Sequence, residues 1–177
     1  KFTKEQVTTM SLDGFSTQPL VMELRAALLG GRIDKITQPT KASVFLSIHQ
    51  PGRNHLLHIA ASPQASAVFL AQRPPENPAE PPLFCMVLRK QLEGSRIADI
   101  RQHALDRIIV FDFDSLAAGA KIVTKTLVVE LIGKHSNIIL VQDGRIIDAL
   151  RKVGSANSRT RLILPAREYA PPPAQEK

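Results

Sequence analysis

In the stretch QHALDRIIVFDF, Gln102 to Phe113, an acid and a base stand side by side, Asp106 and Arg107, at the entrance of the apolar run Ile108 to Phe111. An arginine fork can grip a phosphate or a base edge and can stack on a base, while an adjacent aspartate can hold that fork or accept from a base amine. The same pair could be a polar strand end, a local salt bridge contributing at most about 1 kcal/mol when exposed. Asp13 in SLDG, just ahead of the first helix, suits either a functional acid or a turn former that complements the helix dipole. Lys134 and His135 in GKHSN fall at a turn between strands where they could contact phosphate, and Asn137 could equally serve the turn itself. Arg145, Arg151, Lys152, Arg159, Arg161 and Arg167 crowd the last third of the chain against few acids. Arg151 and Lys152 therefore join Lys134 and His135 as possible nucleic-acid contacts.

Other chemistries are disfavoured by spacing. GKHS imitates the end of a phosphate-binding loop, but His135 stands where such a loop needs Ser or Thr, and Val128 where it needs glycine. His49, His55 and His58 straddle a hairpin, yet His55 and His58 differ by an odd number and face opposite sides of one strand. With one cysteine and no tight acidic cluster, neither a metal site nor another cofactor is expected. There is no GxSxG elbow, and Ser, His and Asp are scattered.

The elements that must position these residues are bounded by composition. The 177 residues fit one domain, 44% hydrophobic and 22% charged, with no apolar run long enough to suggest a membrane span. The formal net charge of +7 suits a polyanionic partner, most often nucleic acid, or else a solvated basic face. Cys85 lies inside PLFCMVL and is expected in the core of a protein from a reducing compartment. Residues 1–9 lack the features of a signal peptide and are expected to be vector-derived or disordered, with the domain running over 10–169. The proline-rich end 170–177 is expected to be a linker to further parts.

An internal repeat organises the chain. LRAALLGGRIDKITQ, from Leu24, and LRKQLEGSRIADIRQ, from Leu88, share eight identities in fifteen positions at an offset of 64. Each copy predicts a helix that stops at glycine, Gly30 or Gly94, and hands over to a strand. Ser16 or Thr17 is expected to cap the first helix, with Pro19 in its first turn. SVFLSI and HLLHIA follow as strands in the first half (16–72). RIADI, RIIVFDF and IVTKTLVVELI follow in the second (83–132), and RPPENPAEPP (73–82) is a stiff connector. NIILVQ and RIIDALRKV, joined at Asp143-Gly144, extend the sheet. The expected class is α+β, two helices on a mainly antiparallel β-sandwich with pseudo-twofold symmetry. Extending the offset of 64 sets Asp106 and Arg107 on Ala42 and Ser43, so the scaffold does not itself demand a charge pair there.

MSLDGFSTQPLVMELRAALLGGRIDKITQP, LRKQLEGSRIADIRQHALDRIIVFDF, ELIGKHSNIILVQDGRIIDALRKV and SRTRLILPAREYAPPP together resemble the amino-terminal domain of the NFACT family. These are ribosome-associated quality-control factors of the RqcH and NEMF type, whose bacterial members were long labelled fibronectin-binding proteins. The resemblance implies a cytoplasmic domain that binds tRNA and the large ribosomal subunit still holding peptidyl-tRNA. It implies recruitment of tRNA, charged with alanine in bacteria, for template-free C-terminal tailing of the stalled chain. The family's tRNA-recruiting acid and Asp-Arg pair map onto Asp13, Asp106 and Arg107. Peptide-bond formation would belong to the ribosome, so no enzyme, small-molecule substrate or membrane partner is implied. The fold implied is similar to the amino-terminal domain of formamidopyrimidine-DNA glycosylases, which raises DNA-base excision as an alternative. That chemistry needs a proline amine after the initiator, where Ser11 follows Met10. An extracellular-matrix adhesin is suggested by the old family label alone.

Overall fold

The computed structural model describes residues 14–76, 80–103, 107–156 and 161–173. Among these residues nine strands form one antiparallel sheet in the order β4-β3-β2-β1-β5-β6-β7-β8-β9. The first arm contains β1 (Arg32–Thr40), β2 (Ser43–Gln50), β3 (Arg53–Ala61) and β4 (Ser66–Ala71). The second contains β5 (Arg96–Gln102), β6 (Ile108–Ala117), β7 (Lys121–Glu130), β8 (Asn137–Gln142) and β9 (Arg145–Ala149). Two α-helices are present among the described residues, α1 (Gly14–Leu28) and α2 (Leu83–Leu92). The fold is α+β and mostly β, as the sequence pattern predicts.

The arms fold back on one another. β3 touches β7, and the hydroxyls of Ser66 and Ser136 meet at 2.5 Å. One buried cluster draws Leu46, Ile48 and Leu57 from the first arm together with Phe111, Phe113 and Leu127 from the second. Both helices cover this core from the opposite half of the chain: α1 packs on β5 and α2 on β1. Each helix therefore needs the other repeat's strand to bury its apolar stripe, which is why neither half is a self-sufficient unit.

The repeat is visible bond for bond. Gly30 N donates to Ile97 O and Gly94 N to Ile33 O, both at 2.8 Å, while Arg32 and Arg96 pair directly at the centre. Arg25 Nη1 donates to Ile100 O at 2.6 Å and Arg89 Nε to Ile36 O at 2.7 Å. All are related by the offset of 64. Gly30 and Gly94 hold φ of 81° and 85°, the left-handed conformation that ends each helix at little steric cost.

Three local expectations change. Thr17 does not cap α1, because the helix is already formed at Gly14, and Pro19 lies inside it. Thr17 is itself fully buried, and burial of Leu20, Val21 and Leu24 offsets the amide bond the proline cannot make. The hairpin loop expected over HQPGRNH (49–55) contracts to Pro51 and Gly52, between β2 and β3. The segment SAVFLA, which no predicted element covered, pairs along β3 from Ala61↔Ser66 to Leu56↔Ala71 as β4.

Candidate nucleic-acid interface

β6, β7, β8 and β9 all reach one end of the second arm, where their registers align Ile108 with Glu130, Glu130 with Asn137, and Ile139 with Ala149. Antiparallel pairing thus gathers Arg107, the turn holding Lys134 and His135, and the segment Leu150 to Lys152 at a single sheet end, although they span some 45 positions of the chain. Lys134, His135 and Lys152 are exposed, and Arg107 and Arg151 are half-buried. Asp13 and Asp106 lie outside the described residues.

The strand entrance at Arg107 differs from its repeat twin by one residue. Ile48 pairs with Ile33 and Phe113 with Ile97, so β2 corresponds to β6 at an offset of 65, not 64. Two bonds agree: Ala61 N donates to Ala42 O at 2.8 Å, and Leu131 N to Arg107 O at 2.9 Å. Arg107 therefore occupies the place of Ala42, not of Ser43, and the second copy carries one additional residue between Gln102 and Ile108. The offset of 64 holds through the helix and first strand of each copy, then fails at the turn, where insertion is cheapest.

Lys134 and His135 sit on a short 3-10 turn, Gly133–His135, between β7 and β8. Ser136 closes that turn, its N and Oγ donating to Gly133 O at 3.1 and 2.7 Å. Asn137 is buried, its Nδ2 donating to Arg151 O at 2.8 Å and its Oδ1 accepting from Arg151 N at 2.9 Å. Asn137 is thus a structural clamp between β8 and the chain leaving β9. The Arg151 guanidinium donates to Ala61 O at 2.9 Å and to Lys134 O at 3.4 Å, bridging the two arms. Both acceptors are neutral carbonyls, so they fix the fork without supplying a counter-charge. Lys152 Nζ lies 3.7 Å from Asp148 Oδ1.

Not every base in the last third is available in this way. The segment after Arg161 returns as a strap on the outer face of the second arm, with bridges Val153↔Ile163 and Arg145↔Glu168. Ile163 and Tyr169 complete a second apolar cluster there with Ile108, Val110, Val128 and Ile146. Beneath the strap the Glu130 carboxylate receives both ends of the Arg161 fork, Nη1 to Oε1 at 2.9 Å and Nη2 to Oε2, and the Tyr169 hydroxyl at 2.7 Å. The Arg161 carbon Cζ stands 5.4 Å from the centre of the Tyr169 ring. Burial works against the Arg161 cation, but the hydrogen bonds and charge of Glu130 outweigh it and raise its pKa. Burial and the neighbouring Glu130 charge push the Tyr169 hydroxyl far above its ordinary value. By sequence alone Arg161 belongs to a basic run in the last third of the chain. Its partner lies 31 positions away and only the strap brings them together.

A second ion network lies near the symmetry centre. Arg25 Nη1 reaches Asp99 Oδ1 at 2.5 Å, and Arg101 Nη1 bridges Asp99 at 3.2 Å and Asp112 at 2.5 Å. Burial pushes the Asp99 carboxyl up, yet the two arginines hold it below its ordinary value. Cys85 is buried, its thiol pushed up by burial and set 3.7 Å from Ile36 O, as expected of a core residue. His58 is stacked on Phe45 at 4.1 Å and meets the edge of Phe69 at 4.7 Å, and burial lowers its pKa.

Comparison with known proteins agrees with this architecture. The chain is 42% identical over 170 residues to the Rqc2 homolog RqcH of Bacillus subtilis (strain 168), covering 95% of this chain and 30% of that protein. It is 31% identical over 149 residues to the archaeal Rqc2 homolog aRqcH of Methanocaldococcus jannaschii, covering 82% of this chain and 21% of that protein. The chain thus spans about three-tenths of the length of the bacterial relatives it matches. Among solved structures, the amino-terminal domain of fibronectin-binding protein PavA from Streptococcus pneumoniae superposes with a TM-score of 0.87 at 40% identity, covering 93% of this chain and 63% of that one. The fibrinogen binding protein from Staphylococcus aureus superposes with a TM-score of 0.80 at 33% identity, covering 93% and 57%. Residues 13–177 match the family pattern of the NFACT N-terminal and middle domains, and the chain belongs to the NFACT family.

Proposed function

We propose that this chain is the RNA-facing amino-terminal domain of a ribosome-associated quality-control factor acting in the cytoplasm. In this reading it binds the large ribosomal subunit obstructed by peptidyl-tRNA and recruits tRNA, alanyl-tRNA in a bacterium, for template-free tailing of the stalled chain. The observation that carries the reading is the match to RqcH across nearly the whole domain. The cations gathered at one sheet end add physical support. The Arg151 guanidinium is held by two backbone carbonyls, so a phosphate backbone would meet it with little rearrangement. Asp13, Asp106 and Arg107 are assigned to tRNA recruitment. Peptidyl transfer is left to the ribosome, and the domain acts without catalysis or cofactor.

The test is capture of the full-length protein on large subunits, followed by sequencing of the bound tRNA. Asp106→Ala combined with Arg107→Ala should abolish tRNA recovery while the domain keeps its melting profile. A double variant that recovers tRNA and supports tailing overturns the assignment. The names of the streptococcal and staphylococcal structures favour a second reading, binding to a matrix protein. Saturable binding of this chain to immobilised fibronectin, with no tRNA on captured subunits, would favour that reading instead.

A further inference from the structure

The two ends of the sheet are finished differently. At the β9 end the strap closes the edge: Ile146 N donates to Arg167 O and Ala166 N to Ile146 O, both at 2.8 Å. At the other end β4 is the last strand. Ala61 N donates to Ala42 O at 2.8 Å, so the odd-numbered residues of β3 turn their backbone groups toward β2 and the even-numbered ones toward β4. The β3–β4 register then engages the backbone groups of Ala67, Phe69 and Ala71 with β3 and points those of Val68 and Leu70 away from the sheet. Among the described residues nothing pairs with them there.

The repeat shows what such an edge holds. Phe45 pairs through His58 with Phe69 as Val110 pairs through Val128 with Ile139, so β3 and β4 correspond to β7 and β8 at an offset of 70. Ser66 and Ser136, whose hydroxyls touch, are twins in this frame. Val68 therefore takes the place of Ile138, whose carbonyl accepts from Leu150 N at 2.8 Å on the far side of β8. That side is filled by β9, which runs antiparallel to β8 from Gln142↔Arg145 to Ile139↔Ala149. Among the described residues the first arm has no counterpart of β9. It ends one strand short of the second.

Edge strands are usually guarded by charge, proline or a bulge. β4 has none of these: SAVFLA carries no charged residue or proline and pairs with β3 without a register shift. The cations lie beyond its two ends. Arg73 follows the strand and is exposed, and at the start the contact of Ser66 with Ser136 brings up the turn that carries the exposed Lys134 and His135. A strand added antiparallel to β4, as β9 is to β8, would run its carboxyl end past that turn and its amino end past Arg73. We propose that β4 is a docking edge for an extended segment of a partner protein, uncharged through its middle and acidic at both ends, which adds as one further strand through the backbone groups of Val68 and Leu70. The basic ends disfavour a second copy of β4, because antiparallel self-pairing would bring Arg73 of one chain up to Lys134 of the other.

The 177-residue chain is titrated, with amide NMR and amide exchange as readouts, against the synthetic peptide acetyl-Glu-Val-Thr-Val-Thr-Val-Glu-amide. Saturable shifts centred on Val68 and Leu70, and slower exchange of their amides, are expected. The same peptide N-methylated throughout keeps its side chains but has no backbone donors, and should not bind. Arg73→Glu, an exposed surface change, should weaken the acidic peptide roughly two- to tenfold and strengthen a lysine-ended counterpart. The proposal is overturned if no saturable shift appears at Val68 and Leu70, if the methylated form binds equally well, or if Arg73→Glu leaves both peptides unchanged. Protected Val68 and Leu70 amides in the peptide-free chain would overturn it too. Protection independent of protein concentration would mean that the chain closes its own edge, and protection rising with concentration that a second copy does. None of these readouts involves RNA, so the outcome is separate from that of the tRNA test.

Discussion

Removing the Arg161 guanidinium, by Arg161→Ala, would test the load carried by the strap beneath which Glu130 is buried. The Glu130 side chain is 1% exposed and that of Arg161 15%. The arginine supplies two of the three hydrogen bonds the carboxylate receives in this cluster, and a further bond from Nε to Ala170 O at 2.8 Å. Its loss leaves an acidic group out of water with the Tyr169 hydroxyl as its remaining donor here. Breaking a buried pair on one side costs about 3–5 kcal/mol. For a domain of this size that corresponds to a melting temperature lowered by roughly 6–20 °C. Tyr169→Phe removes one bond to the carboxylate and should cost about 1.5–3 kcal/mol. Replacing all three together, Glu130→Leu with Arg161→Met and Tyr169→Phe, removes charge and partners alike and should recover most of the loss, because well-packed apolar groups often match a buried ion pair. Urea unfolding with linear extrapolation measures each variant. Amide exchange at Ile163 and Tyr169 shows whether the strap lifts before the sheet unfolds. An Arg161→Ala loss below about 1 kcal/mol, the worth of a surface pair, would refute the reasoning.

Gly31 and Ser95 are repeat twins that should not be interchangeable. A Cβ at Gly31 would collide with Ile48 Cγ2 and press on Leu28 O at 3.0 Å, so Gly31→Ser should destabilise by about 1–3 kcal/mol in thermal melts. Ser95 Oγ bonds Leu92 O, and Ser95→Gly should cost about 1–2 kcal/mol, from that bond and added chain entropy. Equal tolerance of serine at both positions would refute the packing difference. Burial lowers His58 below its ordinary pKa of 6.5, so the unfolded chain binds the proton more readily. The stability this neutral ring contributes is present above about pH 6.5 and is lost as pH falls below it. His58→Phe, which keeps an aromatic ring between Phe45 and Phe69, should flatten the fall in urea midpoint between about pH 7.5 and 5, and an unchanged slope would exclude His58 as its source.

Much of this fold is legible because its signals are local. Glycine after an apolar stripe ends both helices, Asp143-Gly144 turns β8 into β9, and the shared LR…G.RI..I.Q pattern announces two related halves. β4 escaped notice because SAVFLA is short and lacks an alternating pattern long enough to separate strand from loop. Pro19 misled the start of α1 because burial along the helix outweighed a local propensity. The offset of 64 misses the twin of Arg107 by one residue because an insertion between strands leaves no trace in composition.

The sequence by itself determined the repeat, the α+β class, the placement of Cys85 in the core and the excess of positive charge. These follow from side-chain type and period along the chain, which neighbours a few positions away suffice to express. Only the tertiary structure decided which of those charges are spent and which are presented. Arg161 is consumed by Glu130 and Arg151 is held by carbonyls of both arms, while Lys134 and His135 stand exposed on a turn closed by Ser136. The physical reason is that pairing and burial depend on strand register and on the return of the C-terminal strap, contacts between residues far apart in sequence whose distances no local pattern encodes.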